Sequence, residues 1–283
     1  MDGLEALHLT TLDQVSLTAL AGALDRGYEG YAIPVKFSSH ALAALVRRDH
    51  VDLTQSYLVS DDDGVATGAM VIARRGRESR VAGLGIAPAA RGQGLGSRMV
   101  MRAIEDARGR GDERIRLEVI STNDIARRVY ERCGFRITRP LIGYERPGGT
   151  QSGTATDVDV EECAPDEIIG PLLTWYPAST SWQTDPASYV GAVPPVQAFR
   201  TVEGAMALVD ASGSTARLLA LAVSPDRRRQ GAASRLLQAL DARFGNVPWP
   251  IPAYVPDTLA AEFFQATGWQ RSAMSQFEME VVF

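Results

Sequence analysis

The chain has 283 residues, 45% of them hydrophobic and 22% charged, with 21 basic against 19 acidic residues in 1–150 and 8 against 15 in 151–283, for a net charge of −5. This is a globular composition with room for two ordinary domains; with no basic stripe and no apolar run near the ~18 residues of a membrane span, neither a nucleic-acid nor a membrane partner is expected. Cys133 and Cys163 make neither a metal-ligand spacing nor a disulfide framework, His8, His40 and His50 are scattered, and the first ten residues hold no basic-then-apolar leader, so a cytoplasmic protein without a metal site is expected.

In chain order, the pattern predicts a strand over 6–9, a helix over 12–25 and a second helix from the capping pair Ser38-Ser39 to about residue 48. Runs 56–60 and 66–74 flank Asp61-Asp62-Asp63-Gly64, a hairpin signal. A strand over 80–87 leads through a glycine-rich turn into a helix ending near 110. A strand over 115–120, a helix over 124–132 and a strand pair over 135–138 and 142–146 come next. Residues 148–156 are rich in Gly, Ser and Thr without apolar periodicity, which is linker composition. Domains over 1–147 and 157–283 are therefore expected, each α/β with helices about a central sheet.

The second domain repeats the first. PAARGQGLGSR at 88–98 and PDRRRQGAASR at 225–235 share Pro, Arg, Gln, Gly, Ser and Arg without a gap, at an offset of 137. Ala126, Tyr130 and Gly134-Phe135 then lie over Ala260, Phe264 and Gly268-Trp269 at an offset of 134. The opening of the second copy is harder to read, because 176–195 is a long Pro/Ser/Thr-rich loop around Trp182.

Arg91-Gly92-Gln93-Gly94-Leu95-Gly96, between a strand and a helix, is suited to a phosphate. Glycines admit close backbone approach, free amides open the helix, and Ser97 and Arg91 add donors. No Gly-Lys-Ser/Thr succeeds it, so this is not a Walker loop, and the spacing and position do not fit a dinucleotide fingerprint.

Together with Asn123, Ala126, Tyr130, Gly134 and Phe135, the series Arg91, Gly94, Gly96 resembles the GNAT superfamily of acyl-CoA-dependent N-acyltransferases, closely over 80–146. The resemblance implies two tandem GNAT-like domains, each with a central mixed, mostly antiparallel sheet. It implies acetyl-CoA as cosubstrate, its pyrophosphate on the amides of 91–97 and its pantetheine arm along 82–87 near Leu84 and Ile86. It also implies an oxyanion donor at the amide of Leu84 or Gly85, and Tyr130 as the acid that protonates the departing thiol. On periodicity alone Tyr130 reads rather as a core tyrosine on the inner face of helix 124–132. Asn123 is expected to anchor the pantetheine arm, to cap its helix, or both. Arg127 and Arg128 read either as phosphate partners or as a solvated face.

The family's usual glutamate on the strand before the turn is missing here, where Val81-Ala82-Gly83-Leu84-Gly85-Ile86 stands. Glu118 and Glu29, acting through water, are the candidate bases, with proton loss to bulk water as the alternative. Tyr28 and Tyr31 are expected to wall the acceptor pocket or to pack between the first two helices. In the second copy Phe264 and Asp257 stand where Tyr130 and Asn123 stand, so that domain reads as chemically degenerate. The expected partner is a small-molecule or peptide amine, and the expected state a monomer or homodimer. The other readings are a coenzyme-A-binding regulatory or scaffold protein without turnover, and a tandem acyltransferase similar to mycothiol synthase.

Overall fold

Short apolar runs broken by Gly, Asp and Pro form twelve strands, and amphipathic runs form seven α-helices, among the described residues. The structure is a computed structural model and describes residues 8–31, 33, 35–148, 159–177, 180–245 and 247–283. Most of the linker expected over 148–156 therefore lies outside the described residues, as do residues 6 and 7 of the first expected strand. The chain forms two compact units, residues 1–138 with 277–283, and residues 139–276.

The first unit runs β1 (His8–Thr11), α1 (Leu17–Gly27), α2 (Ser39–Asp49), β2 (Tyr57–Ser60), β3 (Ala66–Arg75), β4 (Glu78–Ile86), α3 (Leu95–Gly109), β5 (Arg114–Ile120), α4 (Asp124–Arg132) and the start of β6 (Arg136–Arg146). The helix expected over 12–25 is divided: residues 12–14 form a 3-10 turn, and Ser16 then caps α1 by accepting from the Ala19 amide at 3.1 Å. A side-chain cap satisfies an amide that the apolar pattern alone would leave open. Ser38 caps α2 in the same way.

Strands β1 to β4 are antiparallel neighbours, and β4 pairs in parallel with β5. The last residues of the chain lie beyond β5, where the Phe283 amide donates to the Glu113 carbonyl. Two irregularities in β4 shape the surface at its end. Its register against β3 passes from Val71↔Gly83 to Ile72↔Val81, which leaves Ala82 as an unpaired bulge. Its pairing with β5 runs from Glu78↔Arg114 to Val81↔Leu117 and stops, although both strands continue. The bulge also breaks the alternation of faces. Val81, Leu84 and Ile86 all pack on the α3 side, while Ala82 packs with α1.

The second unit holds the rest of β6, then β7 (Val160–Cys163), α5 (Pro165–Trp175), β8 (Val196–Thr201), β9 (Ala205–Asp210), β10 (Arg217–Val223), α6 (Ala232–Phe244), β11 (Trp249–Pro256), α7 (Ala261–Ala266) and the start of β12 (Gln270–Val282). Strands β10-β9-β8-β7 form an antiparallel sheet, and β11 pairs with β6. The strand pair expected over 135–146 is thus one strand, which Pro140 does not interrupt because its carbonyl still takes the Asp257 amide. The segment read as a loop around Trp182 packs inward: Trp182 is buried, and Tyr189 donates from its hydroxyl to the Gln183 carbonyl. No helix among the described residues is long and apolar enough to cross a membrane.

Candidate active site

The turn before α3 is shaped by its own side chains, and the Arg91 amide, expected to face a phosphate, donates instead to the Pro88 carbonyl at 3.2 Å. Gly92 and Gly94 sit at φ 77° and 78°, a region closed to most side chains, with open space where each Cβ would stand. Gly94 is the N-cap of α3, and no side chain caps the helix. The first-turn amides, which have no intrahelical acceptor, are thus left to a ligand, at the positive end of the helix. Gln93, exposed, folds back on the turn, donating to the Ala89 carbonyl at 2.9 Å. Leu95 is buried in the core, and Gly96 lies against Ile86. Ser97, half-buried, accepts at its carbonyl from the Cys133 thiol. The cradle fits paired phosphates.

Arg91, expected as a phosphate donor, has main-chain partners instead. It donates from Nε to the Ile86 carbonyl (2.9 Å) and from Nη2 to those of Gly27 (3.1 Å) and Glu29 (2.6 Å). It thereby ties the end of α1, whose last carbonyls favour a cation, to the end of β4.

Beyond that clamp lies an aromatic cluster. Tyr28, the C-cap of α1, stands over Gly83 and Gly85, its hydroxyl 3.8 Å from where a Gly83 Cβ would stand. Its ring meets Tyr31 at 5.0 Å and Phe37 at 5.2 Å, both edge-on. Burial, then Tyr31, push the Tyr28 phenol up to about 12, against the main chain of Leu84 and the charge of Arg80. Burial also raises Tyr31, against a hydrogen bond from the Asn123 side chain. Asn123 at the same time caps α4, accepting from the Ala126 amide at 3.1 Å. Tyr130, one turn from the end of α4, packs edge-on against Phe135. Burial, then Tyr28, Tyr31 and Cys133, raise its phenol well above the ordinary range, so it is neutral and carries its proton. The structure thus gathers Leu84, Tyr28, Tyr31, Asn123 and Tyr130 at the end of β4 that parts from β5.

The two carboxylates are placed differently. Glu118 gives both oxygens to Arg80 Nε, at 3.0 and 2.7 Å, and Arg80 reaches Asp49 at 3.0 Å. All three are buried, with side-chain exposures of 6%, 4% and 2% for Arg80, Glu118 and Asp49. Glu29 is exposed and contributes its carbonyl to Arg91. Arg127 pairs with Asp124 and Glu131 on its own helix, and Arg128 is exposed. The sequence contained no local sign of the Arg80 network or of the Arg91 clamp, since their partners lie far apart in the chain.

The second unit keeps the turn and loses the phenol. Arg228 holds the carbonyls of Val223 and Trp175, Gln230 that of Asp226, and Gly231 caps α6 at φ 83°. Arg229 takes the left-handed place of Gly92, at φ 63°. Phe264 is buried and stacked on Tyr144 at 4.3 Å.

Residues 27–135 match the model of the Acetyltransferase (GNAT) family. Among curated relatives, glucosamine 6-phosphate N-acetyltransferase 1 of Oryza sativa subsp. japonica is 37% identical over 75 residues, 25% of this chain and 44% of that protein. The chain spans between 44% and 59% of the length of the curated relatives it matches. Among solved structures, the GCN5-related N-acetyltransferase from Sphaerobacter thermophilus superposes with a TM-score of 0.68 at 15% identity, over 98% of this chain and 95% of that one. A tandem GNAT protein from the clavulanic acid biosynthesis pathway gives 0.63 at 12% identity, over 98% of each chain. The whole chain therefore has the tandem GNAT fold.

Proposed function

We propose that the protein is a cytoplasmic N-acetyltransferase that moves an acetyl group from acetyl-CoA to a primary amine of a small molecule or peptide, with the chemistry in the first unit. The observation that carries this reading is the packing of Tyr130 and Leu84 against one cluster at the parted end of β4, next to the uncapped start of α3.

The amides of 92–97 hold the pyrophosphate, and the free edge of β4 at Leu84, Gly85 and Ile86 holds the arm. Acetyl-CoA supplies an acetyl group activated as a thioester. As the amine nitrogen bonds to the carbonyl carbon, the amide of Leu84 or Gly85 takes the charge building on the oxygen. Tyr130 donates its proton to the sulfur as the C–S bond breaks. Bulk water, or Glu29 through water, takes the proton of the amine. Glu118 serves as the partner of Arg80, since both its oxygens are engaged there. Tyr31 and Phe37 wall the acceptor side. In the second unit Phe264 carries no proton to give, which favours a non-catalytic role for that unit.

An acceptor-amine panel with free-thiol release as the readout tests the reading. Thiol release dependent on one class of amine, and lost in Tyr130→Phe, is the expected result. Coenzyme A binding with no release on any amine would favour a binding protein without turnover.

A further inference from the structure

Val81↔Leu117 is the last rung that β4 and β5 share, and its side chains pack with α3. Arg80 and Glu118, one residue back on β4 and one further on β5, therefore lie on the other face of the sheet. Across the rung Glu118 receives Arg80 Nε on both oxygens, at 3.0 and 2.7 Å, and Nη2 at 2.6 Å. Arg80 Nη1 holds Asp49, the last residue of α2, at 3.0 Å. One buried guanidinium thus ties β4, β5 and α2 together where the strands part. Such a buried pair adds little to stability over apolar residues of the same volume. What it adds at this rung is position.

The second unit supplies the contrast. It keeps the bulge: the register of β10 against β9 passes from Leu218↔Val209 to Ala220↔Leu208 and leaves Leu219 unpaired, 137 residues after Ala82. It does not keep the pair. Arg217 stands 137 residues after Arg80, but Pro252 stands 134 residues after Glu118, the same two offsets that relate the motifs. Arg217 turns to Asp210 instead, its side chain 44% exposed. Among the described residues β10 and β11 share no ladder, and Pro252 has no N–H to give to one. The bulge is common to both units, so it does not by itself decide where the strands part. The ladder and the ion pair occur together in the first unit and are missing together from the described residues of the second.

We propose that Arg80 and Glu118 are positioning residues of the donor site: by tying β4 to β5 across their last rung they fix the point at which the strands part, and with it the edge of β4 that receives the arm. This rests on the reading of the first unit as the acetyl-CoA site. Without the tie the last rung frays, and the edge from Leu84 to Ile86 loses its fixed place beside the turn.

The test is calorimetric titration of the full chain with coenzyme A, combined with urea unfolding and with hydrogen exchange of the ligand-free chain over 78–86 and 114–120, followed by mass spectrometry. The triple variant Arg80→Met, Glu118→Leu and Asp49→Asn removes the buried charges together and keeps the amide at 118 that Pro252 lacks. Its urea midpoint is expected to stay near that of the wild type, as it does where apolar residues replace a buried ionic group. Coenzyme A is expected to bind about two- to tenfold more weakly, the fold-change of one net hydrogen bond, and both segments to exchange several-fold faster. Arg80→Lys keeps the charge and loses the planar fork that faces two carboxylates, and is expected to shift binding and exchange the same way. Arg217→Met, at the corresponding place in the second unit, is expected to change neither. Wild-type affinity in the folded triple variant overturns the proposal, as does wild-type affinity in Arg80→Lys or unchanged exchange across the last rung. A wild-type chain that binds no coenzyme A overturns the donor-site reading and with it the positioning role. The exchange measurement, made without ligand, then still reports separately on whether the pair holds the strands.

Discussion

Gly27 and Gly85 meet backbone to backbone: a Cβ on Gly27 would stand 2.7 Å from both the carbonyl carbon and the Cα of Gly85. Two absent side chains allow the end of α1 to rest on β4, which is how Tyr28 arrives above Gly83 and Gly85. Gly27→Ala would force the helix away from the strand, since the obstructing atoms are main chain and cannot rotate aside. A loss of about 1–3 kcal/mol is expected, typical of overpacking, and is read from the urea midpoint.

Tyr130→Phe keeps the ring that packs on Phe135 and removes the proton. Turnover is expected to fall by at least tenfold and toward the ~10²–10⁴ typical of a lost general acid, with coenzyme A affinity nearly unchanged. Steady-state rates and calorimetry on the same preparation check both halves.

Gly94 caps α3 at φ 78° with open space around it, so a side chain there meets a conformational penalty rather than a clash. Gly94→Val is expected to cost about 1–2 kcal/mol of stability. It should also weaken coenzyme A about tenfold or more, because hydrogen bonds to a charged group are worth about 1.5–3 kcal/mol each. Thermal melts and titration read the two effects.

Glu118→Gln separates a base from a buried partner. As half of the buried pair with Arg80, Glu118 is expected to hold the fold, and its loss to cost about 3–5 kcal/mol in urea unfolding. A base acting through water would instead lower the rate and leave the urea midpoint in place.

Tyr28 and Tyr176 both have phenols raised to about 12 in the folded protein, by burial above all. A raised folded value contributes stability that is complete below the unfolded value, about 10, and is lost as pH climbs through the folded one. Thermal stability should therefore fall between about pH 10 and 12, and less steeply in Tyr28→Phe. Absorbance titration at alkaline pH should show one late-ionising phenol fewer in that variant.

Much of the fold was legible because its signals are local. The glycine turn, the caps at Ser38 and Asn123 and the 137-residue repeat are short-range patterns, in which a few neighbouring residues decide backbone conformation before any long-range contact forms. The glycine turn itself named 91–97 as a site candidate, while Tyr130 and Leu84 were named by the family resemblance that the motifs carry. Ser16 marks the edge of that legibility, since its cap begins α1 later than apolar periodicity alone implies.

The partners that give those residues their chemistry were settled only by the folded chain. Arg91 and Gly27 are 64 residues apart, and Arg80 and Glu118 are 38 apart. Arginine and glutamate carry no mark in a sequence of whether water or another side chain will receive them. The bulge at Ala82 turns Gly83 and Gly85 toward α1, and the pairing of β4 with β5 ends at Val81↔Leu117 although both strands continue. Residues 277–283 likewise take their place in the first unit through strand pairing, which depends on edges that exist only after the sheet has formed.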